Sequence, residues 1–109
     1  MPVLVRFYGV LRELAGSQLE VQVGPSGEME FIELVKAVLE KCQALVEYIR
    51  VDYRGVVVRG LSILINGRHI AFLGGDKSKV RDGDVVDILP PLHGGLCRVN
   101  SVRDLLEAG

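Results

Sequence analysis

Apolar positions alternate with polar ones near both ends of the chain and recur at helical spacing between them. In "VLVRFYG" (3–9), Val3, Val5 and Phe7 fall on one side of an extended segment and Leu4, Arg6 and Tyr8 on the other, which predicts a strand. "LRELAGS" (11–17) predicts a short helical turn closed by Gly16. "QLEVQV" (18–23) alternates strictly: Leu19, Val21 and Val23 point inward, and Gln18, Glu20 and Gln22 outward. The two extended segments are expected to pair antiparallel across a long connection.

After "GPSG" (24–27) breaks the strand, the spacing predicts a helix starting near Glu28 or Glu30. Phe31, Leu34, Val35, Val38, Leu39, Cys42, Leu45, Val46 and Ile49 recur at steps of three and four. Glu28, Glu30 and Glu33 would make an acidic first turn, suited to the positive end of the helix dipole. Cys42 lies on the apolar stripe and reads as core packing. Residues 50–60 read as a loop, or as a loop holding a short strand at 56–58. "LSILINGRHIAFL" (61–73) predicts strand, turn, strand, because Asn66-Gly67 tolerates the positive φ of a tight hairpin. "GGDKSKVRDGD" (74–84) reads as a polar connection, and "VVDIL" (85–89) as the last strand, with Val86 and Ile88 inward. The order is ββαβ(β)β, an α+β fold with one helix over a mixed sheet, and no internal repeat appears.

With 109 residues, about half of them hydrophobic, the chain fits one domain large enough to fold without staples. Its formal net charge of −1 supplies no global attraction to nucleic acid or an anionic membrane. No apolar run is long enough for a membrane helix, and "MPVLVRFYG" lacks the features of a signal peptide, so a cytoplasmic protein is expected. Cys42 and Cys97, with His69 and His93, complete no metal-ligand spacing, and no bound cofactor is expected. The serines have no recognisable His–acid partners. The glycines of "LINGRHI" and "FLGGDKS" match no phosphate loop and read as turns. Asp82, Asp84 and Asp87 read as a solvated rim. An active site of the chain's own is therefore not legible.

That leaves "ILPPLHGGLCRVNSVRDLLEAG" (88–109). Pro90-Pro91 stops the last strand, since proline cannot donate a ladder hydrogen bond, and the chain leaves as a stiff stem. Gly94 and Gly95 have no side chains, so a stem ending there fits a narrow channel. The plainer reading of Gly-Gly after Pro-Pro is a flexible linker.

"VRFYGVLRELAG", "ILINGRHI", "KVRDGDVVDILPP" and "HGG" stand in an order and spacing that resemble the MoaD/ThiS-like sulfur carriers, β-grasp relatives of ubiquitin, most closely the archaeal MoaD-type small subunit of molybdopterin synthase. The resemblance covers residues 3–95, with 45–60 generic. It implies a β-grasp domain over 1–92, with a mixed sheet on one main helix, followed by a tail and extension over 93–109. It implies that the carboxylate of Gly95, next to Gly94, is adenylated by an ATP-using adenylyltransferase of the ubiquitin-activating type and converted to a thiocarboxylate. The sulfur would pass to a pterin precursor within the molybdopterin synthase large subunit. Relatives thiolate tRNA or modify proteins at lysine. ATP chemistry then belongs to the partner, and the chain is a carrier or small subunit without a catalytic centre.

Tyr8 and Leu89 should face away from the helix, on the side by which this family docks; Pro90, Pro91, Leu92 and His93 continue that surface into the tail. Ordinary exposed apolar residues are the alternative. The sequence departs from the family in residues 96–109, which follow the glycine pair. An internal Gly95 carries a peptide amide where adenylation needs a carboxylate. Three accounts stand. The first is a precursor cut after Gly95 by a processing protease. The second is an interaction or regulatory module that keeps its extension. In the third, Gly109 of "LLEAG" is the reactive end. "SVRDLLE" (101–107) reads as a short helix with Ser101 as N-cap and Val102, Leu105 and Leu106 on one face. Such a helix must pack on something: the sheet face near Tyr8 and Leu89, or a second copy of the chain. The alternative is a frayed end. Cys97 could attack the Gly95 carbonyl, although only Arg98 and His93 stand near it in sequence to activate it.

Overall fold

The alternation at the N-terminus becomes strand β1 (Val3–Phe7), with Val3, Val5 and Phe7 buried. Helix α1 (Val10–Ala15) follows, and β2 (Gln18–Val21) returns antiparallel, setting Val3 opposite Val21 and Arg6 opposite Gln18. The computed structural model describes residues 2–90. The readings for Pro91, Leu92, His93, Gly94, Gly95 and residues 96–109, including the helix at 101–107, lie outside the described residues.

The main helix is shorter than its apolar stripe predicts. Glu28 and Glu30 belong to a strand, β3 (Glu28–Glu30), and helix α2 runs over Phe31–Lys41, leaving only Glu33 as an acid in its first turn. The reason is a distant cationic strand, which outweighs the pull of the helix dipole on these acids. Met29 lies opposite Val80, while Lys79 and Arg81 approach Glu28 and Glu30 at 3.4–4.0 Å. The Phe31 amide donates to the Ser78 carbonyl, 2.8 Å away, so β3 hands directly into α2. Beyond Lys41 the stripe is carried by a 3₁₀ turn (Gln43–Glu47) and β4 (Ile49–Asp52), which still bury Leu45 and Ile49. Val46 drops off the stripe and is 48% exposed. Cys42 is half-buried against the core, as expected, and its Sγ donates to the Leu14 carbonyl at 3.4 Å.

The ambiguous region 50–60 forms a hairpin of β4 with β5 (Gly55–Val58). β6 (Ser62–Ile65) then turns through Asn66-Gly67, at φ 52° and 85°, into β7 (Arg68–His69). Positive φ at both central residues is the geometry that the Asn-Gly pair favours. β7 is only two residues long, and a 3₁₀ turn (Ile70–Phe72) replaces the rest of the expected strand. The polar connection 74–84 is more structured than its composition suggests. It holds a 3₁₀ turn (Gly75–Lys77) and β8 (Lys79–Arg81), whose Val80 is fully buried. β9 (Val85–Leu89) closes the domain with Val86 and Ile88 inward.

The main sheet has the order β2-β1-β9-β6-β7, with β1 and β9 parallel and the remaining pairs antiparallel. α2 packs Phe31, Leu34, Val35 and Val38 onto its inner face, against Val3, Val5, Phe7, Ile63, Val86 and Ile88 among others. Each such side chain contributes roughly 1.5–3 kcal/mol on burial, so this one layer dominates stability. A mixed sheet on one main helix is the β-grasp arrangement expected from the sequence. Among the described residues, no helix is long and apolar enough to cross a membrane.

The β4–β5 hairpin forms a separate two-stranded sheet, tied to the rest by Asp76, whose Oδ2 accepts from the Val56 amide at 3.0 Å. Replacing Asp76 with Ala should leave that amide unpaired and cost about 1 kcal/mol, the usual net value of such a bond. Amide hydrogen exchange at 49–58 should accelerate more than in the main sheet. Equal acceleration throughout would show that the tie is not local.

Candidate functional site

Parallel strands run side by side in one direction, so the end of β1 lies beside the end of β9. Phe7 is paired with Ile88, and continuing that register sets Tyr8 beside Leu89 and Gly9 beside Pro90. Tyr8 itself lies one residue past β1. Gly9 has φ 61°, and a Cβ built on it would stand 2.8 Å from Pro90 Cγ. Only glycine therefore lets the proline seat here, and the chain leaves the sheet from this point.

Away from α2, the sheet's other face can be read row by row from the registers. One row runs Gln18, Arg6, Asp87, Leu64, His69. A second runs Glu20, Leu4, Val85. Leu89 stands opposite Ser62 at the end from which the chain departs. Leu4, Leu64, Val85 and Leu89 are half-buried, and Tyr8 is 38% exposed. Tyr8, Leu89 and Pro90 thus lie at the same end of the sheet, with Tyr8 and Leu89 on the outward phase that the alternation predicts. Pro91, Leu92, His93, Gly94 and Gly95 are outside the described residues.

At the centre of this face lies a polar group that the sequence reading misplaced. Asp87 belongs to no solvated rim: it is only 9% exposed. Arg6 grips it from the side, Nε donating to Oδ1 at 2.6 Å and Nη2 to Oδ2 at 3.1 Å, and Tyr8 Oη donates to Oδ1 at 3.0 Å. A carboxylate on a half-apolar face needs such partners, because an unpaired buried charge is costly. Arg6's hydrogen bonds hold Asp87 below the ordinary carboxylate range; burial opposes this, and the Tyr8 hydroxyl adds to the lowering. The same hydrogen bond pushes the Tyr8 phenol up, with burial helping. One signal for Arg6 and Asp87 was available: both are charged residues at outward phases of strands that otherwise carry apolar side chains there. The other two acids are turn residues or exposed. Asp84 Oδ1 accepts from Asn66 Nδ2 at 3.0 Å, and its Oδ2 accepts from the Arg81 amide at 2.9 Å. Asp82 is exposed. Among the described residues, no group of three or more His, Cys, Asp or Glu could hold a metal ion.

A β-grasp sheet with an apolar edge at the root of a Pro-Pro, Gly-Gly tail defines the class of ubiquitin-like small carrier proteins. The chain belongs to the ThiS family, whose model matches residues 5–95 and so ends on Gly95. Among solved structures it is similar to small archaeal modifier protein 1 from Methanosarcina acetivorans, with 30% identity over 86% of this chain and 96% of that one, at a TM-score of 0.69. It is similar to Urm1 from Trypanosoma brucei, with 27% identity over 86% and 95% of the two chains and a TM-score of 0.67. It also shares its fold with a chain in the complex of subunits 1 and 2 of molybdopterin-converting factor from Helicobacter pylori, at 24% identity, 87% and 100% coverage and a TM-score of 0.54. That neighbour pairs with a partner subunit. A search of curated proteins finds no match.

Because Asp87's folded pKa lies below its unfolded value, the stability it contributes is full above the ordinary value of 3.8 and is lost as the pH falls from there through the folded pKa. Asp87→Asn should therefore cost about 1–2 kcal/mol at neutral pH. The gap from the native chain should close only below that ordinary value. Urea melts of both chains at several pH values check this; a gap that is constant with pH would mean that the charge is not what Asn removes.

Proposed function

We propose that this chain is a sulfur carrier for molybdopterin synthesis whose working form ends at Gly95. A protease removes residues 96–109 and frees the Gly95 carboxylate. An adenylyltransferase of the ubiquitin-activating type then joins that carboxylate to the α-phosphate of ATP with loss of pyrophosphate. A sulfide-level donor displaces AMP, leaving a thiocarboxylate that the tail carries into the synthase large subunit. There its sulfur bonds to the pterin precursor and water cleaves the acyl C–S bond, returning the Gly95 carboxylate. Adenylation is needed because a free carboxylate is a poor electrophile, whereas AMP is a good leaving group. The carrier contributes one carboxylate, a stem narrow enough to enter a channel at Gly94 and Gly95, and a docking face. It holds no ATP itself, and all these steps are assigned to the cytoplasm.

The observation that carries this reading is the position of Gly95. The family match ends on it, and it stands five residues beyond Pro90, where the chain leaves the apolar edge made by Tyr8 and Leu89. The two-subunit molybdopterin-converting factor complex supports the pterin acceptor and the large-subunit partner. A second reading draws on the 30% identity to an archaeal modifier protein: the same adenylate would be attacked by a lysine amine, making an amide bond to a target protein.

Intact mass of the untagged protein from its native cells tests the scheme. The expected species ends at Gly95, alone or heavier by the difference between a sulfur and an oxygen atom. Chains joined to other proteins through Gly95 would favour the modifier reading. Full-length chain alone, with sulfur transfer active, would overturn both and leave an interaction module that keeps its extension. In the trimmed chain, Gly95→Ala should abolish activation. Leu89→Asp should weaken pairing with the large subunit about thirtyfold, the loss of one interface anchor worth about 2 kcal/mol, without lowering the melting temperature.

A further inference from the structure

The end of the sheet opposite the tail carries a different surface. A groove of about 430 Å³ opens beside the Asn66-Gly67 turn and is lined by Arg68, Lys77, Lys79, Arg81 and Leu73 around a single carboxylate, Asp84. Both Asp84 oxygens are already taken, by Asn66 Nδ2 and the Arg81 amide, so it neutralises the cations only partly. Lys79 and Arg81 lean towards Glu28 and Glu30 across the β3–β8 pair. Arg68 and Lys77 have no ion-pair partner among the described residues. They are exposed cations beside an apolar floor, and Phe72, next in sequence to Leu73, is 83% exposed with its ring held edge-on to His69 at 6.5 Å.

We propose that this groove is a second docking site, and that its occupant is an extended acidic segment of a partner protein with an apolar residue among its carboxylates. Charge complementarity with Arg68 and Lys77 selects the acids, and Leu73 in the groove lining selects the apolar residue. A polynucleotide fits less well. Its phosphates follow one another without relief, whereas Glu28 and Glu30 already engage Lys79 and Arg81, which leaves Arg68 and Lys77 to meet an anion, enough for a pair of carboxylates and too few for a run of phosphates. Location gives the site its use. The groove lies where β9 begins, and the tail departs where β9 ends, roughly 13 Å away at about 3.3 Å per residue. A partner held in the groove leaves the edge around Tyr8 and Leu89 uncovered, so one partner can retain the carrier while another docks at that edge. This inference does not depend on which acceptor receives the sulfur.

The ¹⁵N-labelled full chain, titrated at low salt with a short synthetic peptide alternating Glu or Asp with Leu and Phe, tests the proposal. Saturable shifts should centre on the amides of Arg68, Phe72, Leu73 and Lys77. R68E/K77E should weaken binding at least about tenfold, and added salt should weaken it in the native chain. R68Q/K77Q gives the same readout with a smaller change if charge reversal disturbs folding. Shifts centred on Tyr8 and Leu89 would overturn the proposal, as would no saturable binding. Binding of an oligouridylate in place of the peptide would overturn it in favour of nucleic acid.

Discussion

Two parallel strands cannot be joined by a tight turn; the chain must cross over between them. Here β1 and β9 are joined by almost the whole domain, including α2, which crosses the inner face of the sheet they centre. Their pairing is thus the last contact in sequence and the first in importance, since each strand loses its neighbour on one side without it. It also determines where the chain departs. Because the strands are parallel, the end of β9 comes out beside the end of β1, and the tail starts at Tyr8 and Gly9. An antiparallel pairing would have delivered the tail to the opposite end of the sheet, beside the cationic groove.

The same register puts Arg6 against Asp87, and this pair shapes what a partner on the proposed docking face would meet. An apolar face that buried a lone carboxylate would be destabilised; one with a matched pair is neutral at its centre and apolar around it. Arg6 is held side-on and its side chain is 44% exposed, so its outer nitrogens still have donors to offer. A partner that covers this face with purely apolar side chains would strand those donors. The pair therefore favours a partner with an acceptor at that point, and contributes more to selectivity than to affinity.

The legibility of the sequence divides along a physical line. Elements whose burial follows from their own periodicity were readable: Val3, Val5 and Phe7 of β1, Val86 and Ile88 of β9, and the Asn66-Gly67 turn, which local backbone chemistry dictates. Elements held by distant partners were not. Glu28 and Glu30 look like a helix start until Lys79 and Arg81 are placed opposite, and β8 was hidden in a polar stretch because only Val80 among its residues is buried. The apolar stripe past Lys41 was real, but a 3₁₀ turn and a strand share its inward face after the helix has ended. At the candidate site, the shared outward phase of Tyr8 and Leu89 followed from strand alternation alone. Asp87's role needed the β1–β9 register, which no local pattern encodes.

The chemistry of the tail and the stability of the domain are separable for a related reason. β9 ends at Leu89, and each described core residue lies at or before Ile88. On the proposed scheme, hydrolysis after Gly95 leaves every described strand and core side chain, all within residues 2–90, in the chain. In that scheme a chain that still carries residues 96–109 is chemically silent at Gly95, since an amide there offers ATP no carboxylate oxygen. What the proposed cut supplies is one functional group, the Gly95 carboxylate. Control of activation in that scheme lies with whatever reaches the peptide bond after Gly95.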